Sequence, residues 1–295
     1  PECINSLRSI YPRFGLNPLL KKLASRILHE NSLNNHDAWP YPNKYFALKA
    51  KNYCDQYTSA KKSFIKMQGS LFFLITTEAA SNYARTFWQH TGLGASSRQA
   101  AIDLNLELSP DKNLVNECKF KLIDRISSFT NTDPKLIYLT SSGMSAFHTA
   151  LEIIYKIFPK RPTLQIGFPY VDVLKLPKNI FYGAHLITEE SIQDIELEIK
   201  RINPSALIIE LPSNPLLKCT NIKKISKIAN DLKIPVITDD TIGSNININS
   251  LEVSDMVFTS LTKIFSGSGD ILAGSLVINP NSKWIHKFKK VLDNM

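Results

Sequence analysis

The chain has 295 residues, 43% of them hydrophobic, enough for one large packed domain or one domain with an appendage. Charged residues make up 21%, which excludes disorder as the default reading. The net charge of +9 attracts anions, but the basic residues are scattered and no nucleic-acid-binding pattern accompanies them, so no nucleic-acid partner is expected.

The N-terminal third carries Pro12, Pro18, Pro40 and Pro42, scattered aromatics and no regular alternation of elements. Apolar spacing predicts helices over 17–29 and 46–57. The most apolar run, Leu71 to Ile75, is far too short for a membrane span, which needs about 20 residues. No secretory signal is visible, and Cys3, Cys54, Cys118 and Cys219 lack the spacing of a zinc or disulfide framework. These features predict a reducing, cytoplasmic setting with no membrane partner and no metal. The region 1–104 reads as an N-terminal extension and inter-subunit arm.

From residue 105 onward a different rhythm sets in. Helical patterns over 115–129, 145–157, 192–202, 222–232 and 284–292 alternate with short apolar runs at 135–139, 163–166, 206–210, 234–238, 255–260 and 271–278. Such alternation predicts an α/β domain with a mostly parallel sheet and helices on both faces. Ligands of such sheets gather where strands end, so the polar residues after each strand are the candidates.

Four segments carry suitable groups. Ser141-Ser142-Gly143-Met144-Ser145 turns a strand into a helix whose free N–H groups suit a phosphate, although a plain helix cap is the more ordinary reading of that segment alone. Glu210-Leu-Pro-Ser-Asn214-Pro ends a buried strand in an acid and a turn. Asp239-Asp240-Thr241 follows another strand, and strand alternation lets only one of the two acids point into a given site. Ser260-Leu-Thr262-Lys263-Ile-Phe-Ser266-Gly places a lysine directly after an apolar strand, a position expected to desolvate the amine and free it for Schiff-base chemistry. A snorkelling surface lysine is the bland alternative, and it loses weight beside the other three segments. Together they suit pyridoxal 5'-phosphate, which needs an anchoring lysine, an acid for the ring nitrogen, a phosphate cradle and a flat partner such as Tyr170.

In this order the segments resemble the transsulfuration (cystathionine synthase and lyase) family of pyridoxal-phosphate enzymes, in its fungal cystathionine gamma-synthase branch. Tyr11-Pro-Arg-Phe and Phe87-Trp-Gln-His-Thr-Gly, ahead of Ser96-Ser97-Arg98, support that branch. The resemblance implies the large domain of fold-type I enzymes. It implies that Lys263 anchors the cofactor and moves protons, and that Asp239 pairs with the pyridine nitrogen. It further implies that Gly143, Met144, Ser260 and Thr262 bind phosphate, Thr241 contacts the cofactor, Tyr170 stacks on the ring, and Asn214 contacts the ring hydroxyl or substrate. Ser97 and Arg98 would reach the phosphate of a neighbouring subunit, giving a homodimer or homotetramer acting on small amino-acid substrates.

Three departures stand out. Ser96 occupies the place of the family's usual Tyr, Asp240 that of its usual Asn, and the chain stops at Met295, where relatives continue into a smaller domain that binds the substrate carboxylate. The expected reaction is gamma-replacement, joining an O-acylhomoserine to cysteine. A lyase, a homocysteine-forming synthase or a non-catalytic truncated paralogue are the alternatives.

Overall fold

The computed structural model describes residues 10, 11, 14–58, 62–188 and 191–295. Cys3, Pro12 and Arg13 lie outside the described residues. The chain divides into two compact units, one ending at Asp111 and one running from Lys112 to Met295.

The first unit contains the helices α1 (Pro18–Glu30), α2 (Lys44–Tyr57), α3 (Glu78–Thr91) and α4 (Ser97–Asp103), with strands β1 (His36–Tyr41), β2 (Ser63–Gln68) and β3 (Leu71–Thr77). Its strands form an antiparallel sheet in the order β1-β3-β2. The run at Leu71, noted above only for its hydropathy, is the central strand, which explains why Leu71, Phe73, Leu74 and Ile75 are fully buried. Pro40 sits in β1, an edge strand, where a missing donor is tolerated. Its carbonyl accepts from Ala95 N–H and from the Trp88 indole.

The second unit is built on α5 (Lys112–Thr130), β4 (Ile137–Thr140), α6 (Gly143–Ile157), β5 (Thr163–Ile166), α7 (Val171–Ile180), β6 (Ala184–Ile187) and α8 (Ile192–Ile202). It continues with β7 (Leu207–Glu210), α9 (Ile222–Asp231), β8 (Val236–Asp239), α10 (Ser244–Asn247), β9 (Met256–Ser260), β10 (Gly274–Ile278) and α11 (Ile285–Leu292). Among the described residues it forms one seven-stranded sheet in the order β4-β10-β9-β8-β7-β5-β6. The central pairs β9-β8, β8-β7, β7-β5 and β5-β6 are parallel, and only β10 runs against its neighbours.

Helices cover both faces, as the alternation of apolar strands and amphipathic helices predicts. On one face α6, α7 and α11 pack on Ile208, Ile237, Met256, Phe258, Leu276 and Ile278. On the other, α8 and α9 bury Ile195, Ile199, Ile222, Ile225 and Ala229 against Leu164, Ile166, Leu207, Ile209 and Val236. Near β4 that second face is covered by α5 through Ile126, which meets Ile137, Val257 and Val277. Neighbouring strand positions alternate between these two clusters, the two-residue period of a pleated strand.

Helix α6 carries the greatest burial. Ser142 caps it in a capping box with Ser145, and Ala146, Phe147, Ala150, Leu151, Ile153 and Ile154 are fully buried. A helix apolar on most sides belongs inside a fold. Phe147 stacks on Phe258 of β9 with ring centroids 4.8 Å apart, which fixes the start of α6 over the strand that leads to Lys263. Truncating Phe147 to alanine removes a fully buried ring, so Phe147→Ala is expected to cost about 3–5 kcal/mol in urea-unfolding free energy. A loss below about 1 kcal/mol would mean that this contact does not hold the helix in place.

Candidate cofactor site

Strand register decides which polar groups meet. Glu210 pairs with Asp239 across β7 and β8, Asp239 with Phe258 across β8 and β9, and Gly274 with both Ser260 and Thr140. Since in-register neighbours share a face, Glu210, Asp239, Ser260, Gly274 and Thr140 form one row at the strand ends, on the face covered by α6 and α7. Asp240 is shifted by one position and lies on the opposite face, where its carboxylate accepts from the Thr259 hydroxyl. Only Asp239 of the adjacent acids therefore enters the row.

The cradle at the start of α6 is a close backbone fit. A Cβ on Gly143 would stand 2.6 Å from Ser260 Cβ and 2.9 Å from its Cα. A Cβ on Gly274 would stand 2.2 Å from the Ser142 carbonyl oxygen and 2.7 Å from Gly143 N. Both glycines are thus required by proximity, and the α6 N-terminus is pressed onto β9 and β10. The Ser142 hydroxyl takes the Ser145 N–H, which leaves the N–H groups of Gly143 and Met144, at the first two helical positions, without an intrahelical partner. They offer an anion both hydrogen bonds and the positive end of the helix dipole. Ser142 is a cap and Gly143-Met144 a cradle, so the ordinary and the functional readings of this segment hold together.

The lysine segment is a tight turn. Lys263 N–H donates to Ser260 O at 3.2 Å, and Gly267 N–H to Lys263 O at 3.0 Å. Leu261 N–H donates to Ala273 O, and Ala273 N–H to the Thr262 hydroxyl at 3.3 Å, tying the turn to the start of β10. Thr262 is buried and Ser260 half-buried, but Lys263 is exposed, not desolvated as its place after a strand suggests. The reason is local: the turn stands beyond the end of β9, and Gly267 and Gly269, both with φ of +73°, continue it with open space around them.

Of the remaining candidates, Thr241 joins Asp239 in the row. Asp239 is 4% exposed and accepts Thr241 N–H at 3.0 Å, while the Thr241 hydroxyl accepts Ser260 N–H at 2.9 Å, linking two predicted cofactor ligands to the acid. Tyr170 caps α7 and is half-buried, packing with Met144 against the same core cluster. Asn214 is exposed, in a turn closed by Leu217 N–H on Ser213 O. Ser97 and Arg98 lie in the first unit at the start of α4, and Ser96, in place of the family's tyrosine, caps that helix in a capping box with Gln99. Two contributors were not singled out by sequence: Gly274, and Glu210 as more than a strand-terminal acid. A lone glycine opening an apolar strand is the signal for the first.

These residues fit pyridoxal phosphate. The cradle leaves no room for a side chain where backbone N–H groups must approach a phosphate, and a buried carboxylate stands two strands away in the same row. Burial pushes Asp239 up to about 6, against the pull of the Thr241 hydroxyl and N–H. Burial and then the nearby Asp239 push Glu210 up to about 8. Burial pushes Asp240, the acid standing for the usual Asn, up to about 7, against the pull of the Thr259 hydroxyl. A cation beside Asp239, such as a protonated ring nitrogen, relieves part of that cost.

The strand-end lysine, acid and glycine cradle define a site suited to a covalently held, phosphorylated cofactor. Residues 114–295 match the family described as Cys/Met metabolism PLP-dependent enzyme, and the chain belongs to that family. It is 36% identical over 165 residues to cystathionine gamma-synthase of Neurospora crassa, covering 52% of this chain and 26% of that protein. It is 33% identical over 190 residues to cystathionine gamma-synthase of Saccharomyces cerevisiae, covering 55% and 29%. A cystathionine gamma-synthase-like enzyme of Amanita muscaria is 32% identical over 166 residues, covering 52% and 26%. The chain thus spans about a quarter of the length of these curated relatives.

Two expectations follow. Gly274→Ala meets a backbone carbonyl and is expected to cost about 3 kcal/mol, the upper end of overpacking. Gly269→Ala meets nothing and should cost only about 1 kcal/mol of left-handed backbone strain; equal losses in urea unfolding would contradict the close fit. The three buried acids titrate in the unfolded chain near pH 4 and in the folded protein well above it. Folding therefore takes up protons between those limits, and stability falls as pH rises through the window. The melting temperature of the cofactor-free protein is expected to drop by about 5 °C or more from pH 5 to pH 8. A flat or rising calorimetric profile would contradict this.

Proposed function

We propose that this chain supplies the cofactor site of a gamma-replacement enzyme that condenses an O-acylhomoserine with cysteine to give cystathionine, in the cytoplasm, as a homodimer or homotetramer. The observation that carries the reading is the strand-end row, in which Asp239 and the Gly143 cradle against Ser260 adjoin the turn bearing Lys263. The names of the fungal relatives favour cystathionine formation.

Lys263 holds the cofactor through Nζ. Asp239 would pair with the ring nitrogen and favour its protonated form, Tyr170 would stack on the ring, and Gly143, Met144, Ser260 and Thr262 would hold the phosphate. Asn214 and Thr241 line the same edge, and Ser97 with Arg98 complete a neighbouring subunit's phosphate site. The bound cofactor supplies an electron sink for the carbon next to the substrate nitrogen. Lys263 Nζ would take the proton from that alpha carbon and return one later in the cycle. Loss of the acyl group from the gamma carbon as a carboxylate would need a second proton taken from the beta carbon. The cysteine thiol would give up its proton as its sulfur bonds at the gamma carbon, and the beta and alpha carbons would then regain theirs.

Two measurements test this. Borohydride reduction followed by peptide mapping should place the pyridoxyl group on Lys263, and Lys263→Ala should lose the visible cofactor band. The same variant should lose activity by at least about a thousandfold, as expected when the proton-moving group is removed. A label on any other lysine overturns the assignment. Incubation of O-acylhomoserine with cysteine should yield cystathionine; homocysteine from sulfide, or ammonia release alone, would move the enzyme to a sister activity.

A further inference from the structure

Gln165 stands in an otherwise apolar row of the sheet. It pairs with Ile208 of β7, which is level with Ile237 of β8, and Ile237 pairs with Met256 of β9. Gln165 is fully buried there, on the face that α6 and α7 cover. An amide taken into such a core costs free energy unless it is hydrogen-bonded. Its Nε2 donates twice, to the Thr163 hydroxyl at 3.0 Å and to the Val173 carbonyl of α7 at 3.3 Å. Its Oε1 is buried with no hydrogen-bond partner. The donor end is therefore the part of this side chain that the core uses.

Helix α7 shows why a donor is needed. In an α-helix the carbonyl of residue 173 accepts from the N–H of residue 177. Residue 177 is a proline inside the helix and has no N–H to give. Val173 is 1% exposed, so solvent does not take that place. Gln165 takes it, from the neighbouring strand. The N–H of the same Val173 donates to Tyr170 O at 2.9 Å, and Tyr170 begins α7 without giving it a side-chain cap. The first turn of α7 is thus tied to β5 through Val173, bonded at both its carbonyl and its N–H. Packing of Val173 and Leu176 in the core is non-directional, whereas a hydrogen bond fixes where the turn sits.

We infer that Gln165 is a positioning residue of the cofactor site: by supplying the donor that Pro177 lacks, it fixes the first turn of α7 and so sets Tyr170 against the cofactor ring. This rests on the stacking role proposed for Tyr170 above. What Val173 requires is a donor of any origin, so an N–H restored at position 177 can replace Gln165.

The test titrates the full chain with pyridoxal phosphate, followed by absorption, for Gln165→Met alone and combined with Pro177→Ala or with Tyr170→Ala. Methionine fills the space and donates nothing. Gln165→Met should bind at least about tenfold more weakly, the equivalent of one lost hydrogen bond, and shift the absorption maximum of the bound cofactor. Pro177→Ala gives the Val173 carbonyl a helical donor, so Gln165→Met with Pro177→Ala should return to within about threefold of wild type. In a Tyr170→Ala background Gln165→Met should cost no further affinity, because the group it positions is gone. A folded Gln165→Met protein with wild-type affinity and spectrum overturns the proposal. So does a Pro177→Ala combination no better than Gln165→Met alone, or full additivity with Tyr170→Ala. If circular dichroism shows Gln165→Met unfolded, its combination with Pro177→Ala decides: a folded protein supports the missing-donor account and an unfolded one overturns it. Wild-type affinity and spectrum in Tyr170→Ala alone strike the stacking role instead, and a cofactor not held on Lys263 strikes the site assignment. In either case the role of Gln165 falls with it.

Discussion

The close approach of Gly274 to the Ser142–Gly143 peptide is the constraint on which the site depends. Because no Cβ fits at Gly274 or Gly143, the N-terminus of α6 descends onto the ends of β9 and β10. That descent brings the N–H groups of Gly143 and Met144 to the level of Ser260 and of the turn that carries Lys263. The hydrophobic contact of Phe147 with Phe258 holds the same helix one turn further along. Core packing and the anion cradle are therefore one arrangement, in which moving α6 to relieve either glycine would unstack the aromatic pair.

A second consequence of strand geometry is the separation of charges. Glu210 and Asp239 lie side by side on one face, while Asp240 is turned to the other and meets Thr259. Three acids so close together could not all ionise cheaply in a dry strand end. The fold keeps Asp240 out of the row, while Asp239, fixed by the Thr241 N–H, stands between Glu210 on β7 and the end of β9.

Much of the second unit is legible in sequence because its strands are short, apolar and separated by strongly patterned helices. The strand at 163–166 and the helix at 192–202 are found at the predicted bounds, and the others move by a few residues. Three elements escaped. Helix α7 contains Pro177, which breaks the helical pattern, β6 is a four-residue edge strand with two exposed positions, and α10 is only four residues long. In the first unit the antiparallel sheet is not legible because β1 carries Pro40 and β2 alternates weakly, so only β3 has a plain strand signature.

The site was legible to a different degree. Residue types at strand ends suggested the chemistry, because each need of the cofactor can be met by a named side chain following an apolar run. What sequence could not give is register. Nothing in Leu-Ile-Ile-Glu and Val-Ile-Thr-Asp says that their last residues pair, yet that pairing sets Glu210 beside Asp239 and not one position away. The exposure of Lys263 escaped for a related reason: desolvation depends on what surrounds a turn, and a turn that projects past its strand can be solvated whatever the strand's composition. Local sequence proposes the reactive groups; hydrogen-bonded register and backbone contact at Gly274 decide which of them can act on the same ring.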